Sequence, residues 1–114
     1  MADAFFYQYV TAELKLLVRG EGKPLEGYEE IVVSLDQGKG RGCYHGDYFF
    51  DAGSAEVDVD ESAITVYLTQ EESGKYAAVS TKVQVNIYYA DHERDATLEG
   101  RVQVRENLYP RVID

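Results

Sequence analysis

The sequence predicts an all-β protein, an antiparallel sandwich that forms a single domain over residues 1–114. Three observations predict this fold class. Apolar residues recur at every second position along most of the chain, which is the period of a strand and not of a helix. About seven such segments follow one another at short spacing, without the alternation of strands and long helices that an α/β fold requires. The length of 114 residues matches one domain.

Each predicted strand carries an apolar stripe along one face. The alternation is regular over residues 10–18, where all but one of the intervening side chains are polar, so this strand has one solvated face. A second long stripe covers residues 79–89, and a third follows at residues 98–104. The seven predicted strands lie at residues 10–18, 31–35, 48–50, 55–59, 64–68, 79–89 and 98–104.

Glycine, proline and charged residues mark the connections between these strands. Residues 20–24 predict a turn, because they combine glycine's freedom in φ with a fixed proline. Four glycines within residues 36–47 are too closely spaced for a buried strand or a stable helix, which predicts a mobile loop. The polar residues 91–95 predict a hairpin between the last two strands.

One short helix is predicted near residues 70–76. Thr69 and Glu72 fit a capping box, in which the threonine hydroxyl satisfies one unpaired amide at the start of the helix and the glutamate carboxylate satisfies another. Gly74 then ends the helix within a turn or two.

The residues after the capping box predict an immunoglobulin-like topology. In such sandwiches a short turn precedes a tyrosine near the start of the sixth strand, and its hydroxyl bonds back to the backbone. Residues 72–76 have this pattern, so Thr69, Glu72 and Tyr76 are predicted to form a structural corner. Ala78 stands where antibody domains carry a cysteine, which excludes an antibody-type disulfide.

The charge balance excludes several classes of partner. The chain has 21 acidic and 11 basic residues and a formal charge of −10, whereas binding to nucleic acid or to an anionic membrane needs clustered Lys and Arg. No stretch approaches the length of an apolar membrane span, and the N-terminus lacks the pattern of a secretory signal. We therefore expect a soluble protein made in the cytosol, with neither nucleic acid nor membrane as a partner.

Patterns for catalysis and metal binding are weak. Cys43, His45 and Asp47 alternate, but strand neighbours two apart diverge by about 7 Å, too far for the hydrogen bond that activates a nucleophile. The glycine-rich residues 38–43 match neither phosphate-binding motif, and one Cys with two His cannot by themselves build a structural zinc site. The acidic residues 51–61 depart from an EF-hand, so they are either a solvated strand face, which the alternation favours, or a site for a hard cation, and the sequence leaves this choice open. We expect no enzyme activity, no cofactor and no metal.

Aromatic residues supply the candidate contact sites. Ten Tyr and four Phe are an unusual number for this length, and Tyr is common at protein interfaces because it combines a large apolar area with a polar tip. Tyr67 and Tyr88 lie opposite the apolar stripes of their strands, where they either contact another subunit or cover an outer sheet face. The subunit-interface candidates are Phe5, Phe6, Tyr67, Tyr88 and Tyr109.

The chain resembles small β-sandwich structural proteins from the tail modules of phages and prophages. The resemblance rests on ITVYLTQEES at residues 64–73, KVQVNIYYAD at residues 82–91 and RVQVRENLYPRVI at residues 101–113. In addition, residues 11–38 are similar to the opening hairpin of the N-terminal domain of phage baseplate upper proteins. The family pattern has Thr in place of Ser73 and a glycine-containing turn in place of residues 91–95, which leaves the subfamily open.

The resemblance implies a non-enzymatic virion protein of the tail or baseplate type. Such a protein acts through contacts with its own copies and with other virion proteins, is made in the cytoplasm of the bacterial host, and is then incorporated into the particle. Rings and tubes in such particles use heterologous contacts between identical subunits. The alternative is a carbohydrate- or protein-binding module that uses the loops of the same sandwich.

Overall fold

A computed structural model of the chain describes residues 4–111. Among these residues are eight strands and one short helix. Their bounds are β1 Ala4–Tyr7, β2 Ala12–Leu17, β3 Tyr28–Asp36, β4 His45–Asp51, β5 Val57–Asp58, β6 Ala63–Leu68, α1 Gln70–Gly74, β7 Ser80–Tyr89 and β8 Ala96–Arg105.

The strands form two sheets that pack as an immunoglobulin-like sandwich. One sheet has five strands in the order β1-β8-β7-β3-β4, and the other has three in the order β2-β6-β5. The order β8-β7-β3-β4 opposite β2-β6-β5 corresponds to strands G-F-C-C′ opposite B-E-D of a variable-type immunoglobulin domain. The predicted fold class is confirmed.

The core lies between the two sheets and is built from the alternating apolar residues. Ile31, Val33 and Leu35 of β3 are fully buried beside Val83 and Val85 of β7. Leu14, Ile64 and Val66 cover them from the smaller sheet. One continuous cluster of buried residues thus joins both sheets.

All seven predicted strands are present, and the predicted hairpin joins β7 to β8 in an antiparallel ladder. The sequence did not predict β1. This strand pairs in parallel with β8, from Ala4 opposite Val102 to Tyr7 opposite Arg105, so the larger sheet contains one parallel pair. A parallel partner about one hundred residues away along the chain leaves no local pattern.

Two predicted segments differ in extent. The loop predicted at residues 36–47 is shorter, because β4 already begins at His45. His45 pairs with Asp36, the last residue of β3. Gln37 also bonds this connection to the rest of the fold. Its side chain donates to the Ala77 carbonyl and to the Thr81 hydroxyl, and accepts from the amides of Tyr44 and Ala77. Of the strand predicted at residues 55–59, only Val57 and Asp58 are in a strand.

Candidate interaction surface

The candidate interaction surface is the outer face of the five-stranded sheet. Alternation along β7 buries Val83, Val85 and Ile87 and turns the side chains between them outward. The register of the ladders aligns these outward side chains in rows across the sheet. One row contains Arg101, Lys82, Asp36 and His45, and the next contains Glu99, Gln84, Ser34 and Asp47.

One end of this face is aromatic and basic. Phe5 is 50% exposed and Tyr7 is exposed beside it. The Arg105 guanidinium lies 3.8 Å from the centre of the Phe5 ring and 5.9 Å from that of Tyr7, so its charge is held over the outermost strand. Within residues 4–111, neither Arg105 nor Arg101 forms an ion pair with a carboxylate. We name Phe5, Tyr7, Arg101 and Arg105 the β1 edge.

The opposite end of the face is aromatic and acidic. β4 is the last strand of its sheet, so one side of its backbone has no partner strand. Phe49 is 66% exposed there and stands between Asp47 and Asp51 on the same face of the strand. We name Asp47, Phe49 and Asp51 the β4 edge. The two edges of one sheet therefore carry opposite charge in a chain that is acidic as a whole.

His45 bridges two carboxylates beside the β4 edge. Its Nδ1 is 3.0 Å from Asp36 Oδ1 and its Nε2 is 2.8 Å from Asp47 Oδ1. The hydrogen bond to Asp36, followed by that to Asp47, raises the pKa of His45 above its usual value. The hydrogen bond from Ser34, followed by that from His45, lowers the pKa of Asp47, and the hydrogen bond from His45 lowers the pKa of Asp36. A protonated His45 is thus favoured between two ionised carboxylates.

A groove of about 410 Å³ opens between β4 and β6, where the sandwich is not closed. β5 pairs with only Ile64 and Ala63 of β6, so the rest of that side of β6 lacks a partner strand. Residues 47–50 line one wall of the groove and residues 65–67 the other, with Ser54 and Glu56 at its end. The exposed rings of Phe49 and Tyr67 stand at this opening.

The structural corner forms, but with a different partner from the one predicted. The Thr69 hydroxyl accepts from the Glu72 amide at 3.1 Å and caps α1, as predicted. The Tyr76 hydroxyl, however, bonds to the Tyr48 hydroxyl at 2.6 Å and not to the backbone. Tyr48 in turn donates to the Glu72 carboxylate at 2.7 Å, so the glutamate holds a strand of the other sheet instead of closing a reciprocal capping box.

Burial and hydrogen bonding set the ionisation of this corner. Burial, followed by the bonds to Tyr76 and Glu72, raises the pKa of Tyr48, and burial also raises the pKa of Tyr76. Partial burial opposes ionisation of Glu72, but the hydrogen bonds from Tyr48 and Lys75 outweigh it and lower the pKa of that carboxyl. The corner therefore holds neutral phenols against an ionised glutamate, which is a structural arrangement.

The predicted interface residues do not form one patch. Phe5 lies on β1, Tyr88 on the outer face of β7, and Tyr67 on the smaller sheet at 58% exposure. Tyr109 is exposed in the segment after β8, where Arg111 stacks on its ring at 5.1 Å. Val112 and Ile113, which the resemblance includes, lie outside the described residues.

The prediction for Phe6 needs correction. This side chain is only 4% exposed and packs edge-on against Tyr76, with 5.6 Å between ring centres. Because β1 is a strand, Phe6 points into the core while its two neighbours point outward. Phe6 is therefore a core residue of its own domain and is not available to a neighbouring subunit.

Phe49 is a candidate contact residue that was not among those predicted from the sequence. Three aromatic residues in succession, Tyr48 to Phe50, conceal the alternation that places only the middle one on the surface. A signal was present, since Phe49 is flanked at two positions on either side by Asp47 and Asp51, the pattern of an outward face.

Residues 4–111 contain no group of three or more His, Cys, Asp or Glu side chains placed to hold a metal ion. Over the same range, no helix is long and apolar enough to cross a membrane. Cys43 is a free, half-buried thiol in the connection before β4. The expectation that strand neighbours two apart lie too far apart to bond is wrong for His45 and Asp47. Both side chains lie on the same face of β4, and the long imidazole reaches along the strand to the Asp47 carboxylate at 2.8 Å. Asp36 binds the other ring nitrogen at 3.0 Å.

No family model matches the chain, and no curated protein sequence matches it. Among solved structures, the chain is similar to extracellular domains of the voltage-gated sodium channel beta4 subunit, described as parallel homodimers that explain a role in cell-cell adhesion. The TM-score is 0.43 and the identity is 10%, over 94% of this chain and 92% of that one. A similarity at this level carries no argument about function.

Proposed function

We propose that this chain is a non-enzymatic structural or adaptor protein of a phage or prophage particle, of the tail or baseplate type. It acts through contacts with its own copies and with other virion proteins, and it needs no cofactor. It is made in the cytoplasm of the bacterial host and is then incorporated into the virion, without contact to nucleic acid or membrane.

The observation that carries the proposal is the pair of oppositely charged aromatic edges on one sheet. Exposed sheet edges add strands from other chains unless they are blocked. Aromatic side chains with arginine are the composition of protein-protein contact sites. The resemblance to phage tail proteins gives the proposal its biological setting, and the three segments that carry it include most of β6 and β7 and the second half of β8.

Light scattering of the purified chain tests self-association directly. We expect the mean mass to rise above the 12.8 kDa of one chain as the concentration increases from about 10 µM to about 1 mM. A mass of one chain throughout this range would contradict the proposal that the protein works through contacts between its copies. The virion setting is tested separately by the neighbouring genes, where terminase, portal and tape-measure genes are expected.

A carbohydrate- or protein-binding module is a second candidate, which the groove between β4 and β6 favours. Phe49 and Tyr67 offer exposed rings there, and Asp47 and Glu56 offer carboxylates for hydrogen bonds to hydroxyl groups. Saturable binding of one glycan on an array, lost in Tyr67→Ala and kept in Tyr88→Ala, would support this function. Binding that is equal in both variants, or no binding, would remove it.

A further inference from the structure

We propose that copies of this chain join head to tail, so that the β1 edge of one copy adds to the β4 edge of the next and continues the five-stranded sheet. The inference rests on the proposed function in that it assumes self-association, and it names the two surfaces that meet. The partner is a second copy of the same chain.

Both edges present free backbone groups. The Gln8 amide donates to the Arg105 carbonyl, so alternation directs the backbone groups of Phe6 toward β8 and those of Phe5 and Tyr7 away from the sheet. These outward amides and carbonyls are at the outer side of β1, where no strand formed by residues 4–111 pairs with it.

The same reasoning applies to β4. The Gln37 amide donates to the Tyr44 carbonyl, one step beyond the ladder that pairs Asp36 with His45. Hydrogen-bonded pairs alternate with non-hydrogen-bonded pairs in an antiparallel ladder, so the backbone groups of Asp47 and Phe49 point away from β3. The two edges therefore offer complementary rows of donors and acceptors.

Strand direction permits the two edges to pair. β1 runs parallel to β8, whereas β7, β3 and β4 follow in alternating antiparallel steps, so β4 runs opposite to β1. A second copy placed beside the first with the same face outward brings β1 against β4 as an antiparallel pair. The groove beside β4 gives the incoming edge room.

Charge favours the pairing of a β1 edge with a β4 edge over the two symmetric pairings, β1 edge with β1 edge and β4 edge with β4 edge. Joining two β1 edges would bring Arg105 of one copy toward Arg105 of the second. Joining two β4 edges would bring Asp51 of one copy toward Asp47 of the second. Like charges placed opposite each other across strands are destabilising. Joining β1 to β4 brings the unpaired arginine charge to the carboxylates that flank Phe49. A contact between two different surfaces is heterologous and extends into a ring or a filament.

Edge prolines test the proposal without touching the internal ladders. Phe49→Pro and Phe5→Pro each remove one outward amide, and edge strands tolerate proline where the amide faces solvent. Each variant alone retains one intact edge but cannot pair with copies of itself. We expect the association of each variant to weaken about tenfold or more, so that each stays at the mass of one chain at concentrations where the natural sequence associates.

A mixture of the two variants gives the deciding measurement. Phe5→Pro keeps its β4 edge and Phe49→Pro keeps its β1 edge, so an equimolar mixture is expected to form one-to-one dimers of twice 12.8 kDa and nothing larger. The matched control is Phe49→Ala, which removes the ring but keeps the amide and should retain part of the association.

Two other results would overturn the inference. If each proline variant associates as the natural sequence does, neither edge is the contact, although self-association itself stands. If one variant associates alone and the other does not, the contact is between two identical edges. Circular dichroism and thermal unfolding establish that each variant is folded.

If a proline variant does not fold, two charge-reversal variants test the same pairing of edges. Arg105→Glu and Asp51→Arg are exposed substitutions on the two edges, and neither side chain has a carboxylate or ammonium partner within residues 4–111. Each alone should weaken association, and mixing them should restore it. Failure of the mixture to exceed either variant alone would contradict the pairing of these two edges.

Discussion

The Tyr76 hydroxyl donates to the Tyr48 hydroxyl across 2.6 Å, and the Tyr48 hydroxyl donates in turn to the Glu72 carboxylate across 2.7 Å. This chain of bonds connects the segment before β7, strand β4 and helix α1. Because Tyr48 is the middle member, the two tyrosines are not equivalent.

Removing the middle hydroxyl should cost more than removing the end one. Tyr48→Phe leaves both Tyr76 and Glu72 without this partner, so we expect a loss of about 1–3 kcal/mol in the free energy of unfolding. Tyr76→Phe leaves the bond between Tyr48 and Glu72 intact and should cost about 1 kcal/mol. Urea denaturation of both variants gives the comparison, and an equal or reversed order would contradict the connectivity of the corner.

A methyl group at position 46 should disturb the same corner. The Cβ of Gly46→Ala would overlap the hydroxyl oxygens of Tyr76 and Tyr48, which cannot move without breaking their bonds. We expect a loss of about 1–3 kcal/mol in stability by urea denaturation. Gly20→Ala is the control, since its Cβ would meet only the Pro24 ring at 3.2 Å. Equal stability of the two variants would show that the corner yields easily.

Gln37 should not be replaceable by a residue that lacks a side-chain donor, because both ends of its amide form hydrogen bonds. Gln37→Glu keeps the shape but removes both donors, which leaves the Ala77 carbonyl facing a carboxylate. We expect a loss of about 2–3 kcal/mol near pH 7, partly recovered when the introduced carboxyl is protonated. Gln103→Glu is the control, because the exposed Gln103 side chain donates one bond, to the Val104 carbonyl, so this change should cost less, about 1 kcal/mol or below. A small effect at Gln37 that does not vary with pH would contradict its role as a link between β3 and β7.

The His45 group should make stability depend on pH in a defined direction. The raised pKa of His45 means that its contribution is fully present below the unfolded value of about 6.5 and is lost as the pH rises through the folded pKa. The lowered pKa values of Asp36 and Asp47 give contributions present above about 3.9 and lost in acid. The stability difference between the natural sequence and His45→Gln should therefore be largest between these two limits.

Chemical denaturation at a series of pH values measures this difference. His92→Gln is the matched control, because His92 contacts one carboxylate, Asp95, instead of two. A difference for His45→Gln that does not change from pH 5 to pH 8 would show that the two carboxylates do not favour the protonated ring.

The sequence predicted the seven strands because alternation is a local property that each segment carries by itself. It did not predict β1, since residues 4–7 turn only Phe6 and the small, partly buried Ala4 toward the core, and the partner strand is distant in the chain. The structural corner shows the same contrast between contacts that are local in sequence and contacts that are distant. Thr69 and Tyr76 stand close to each other in sequence, whereas Tyr48 comes from another sheet strand and reaches them only through folding.

The candidate surface was harder to predict than the fold. Tyr67 and Tyr88 were found by their position opposite an apolar stripe, and both are exposed. The charge separation across the larger sheet depends on strand order, which places β8 and β4 toward opposite sides of β7. Spacing along the chain does not reveal that order, so the arginines and the carboxylates could not be assigned to opposite edges beforehand.

The parallel pairing of β1 with β8 also determines how the domain responds to tension. Because the two strands are parallel, the chain enters β1 at Ala4, at one end of the ladder, and leaves β8 at Arg105, at the other end. A pull on the two segments acts along the strands and loads all the bonds between them together, so they must shear at once instead of opening one after another. A domain with this geometry is therefore expected to extend little before the two strands separate.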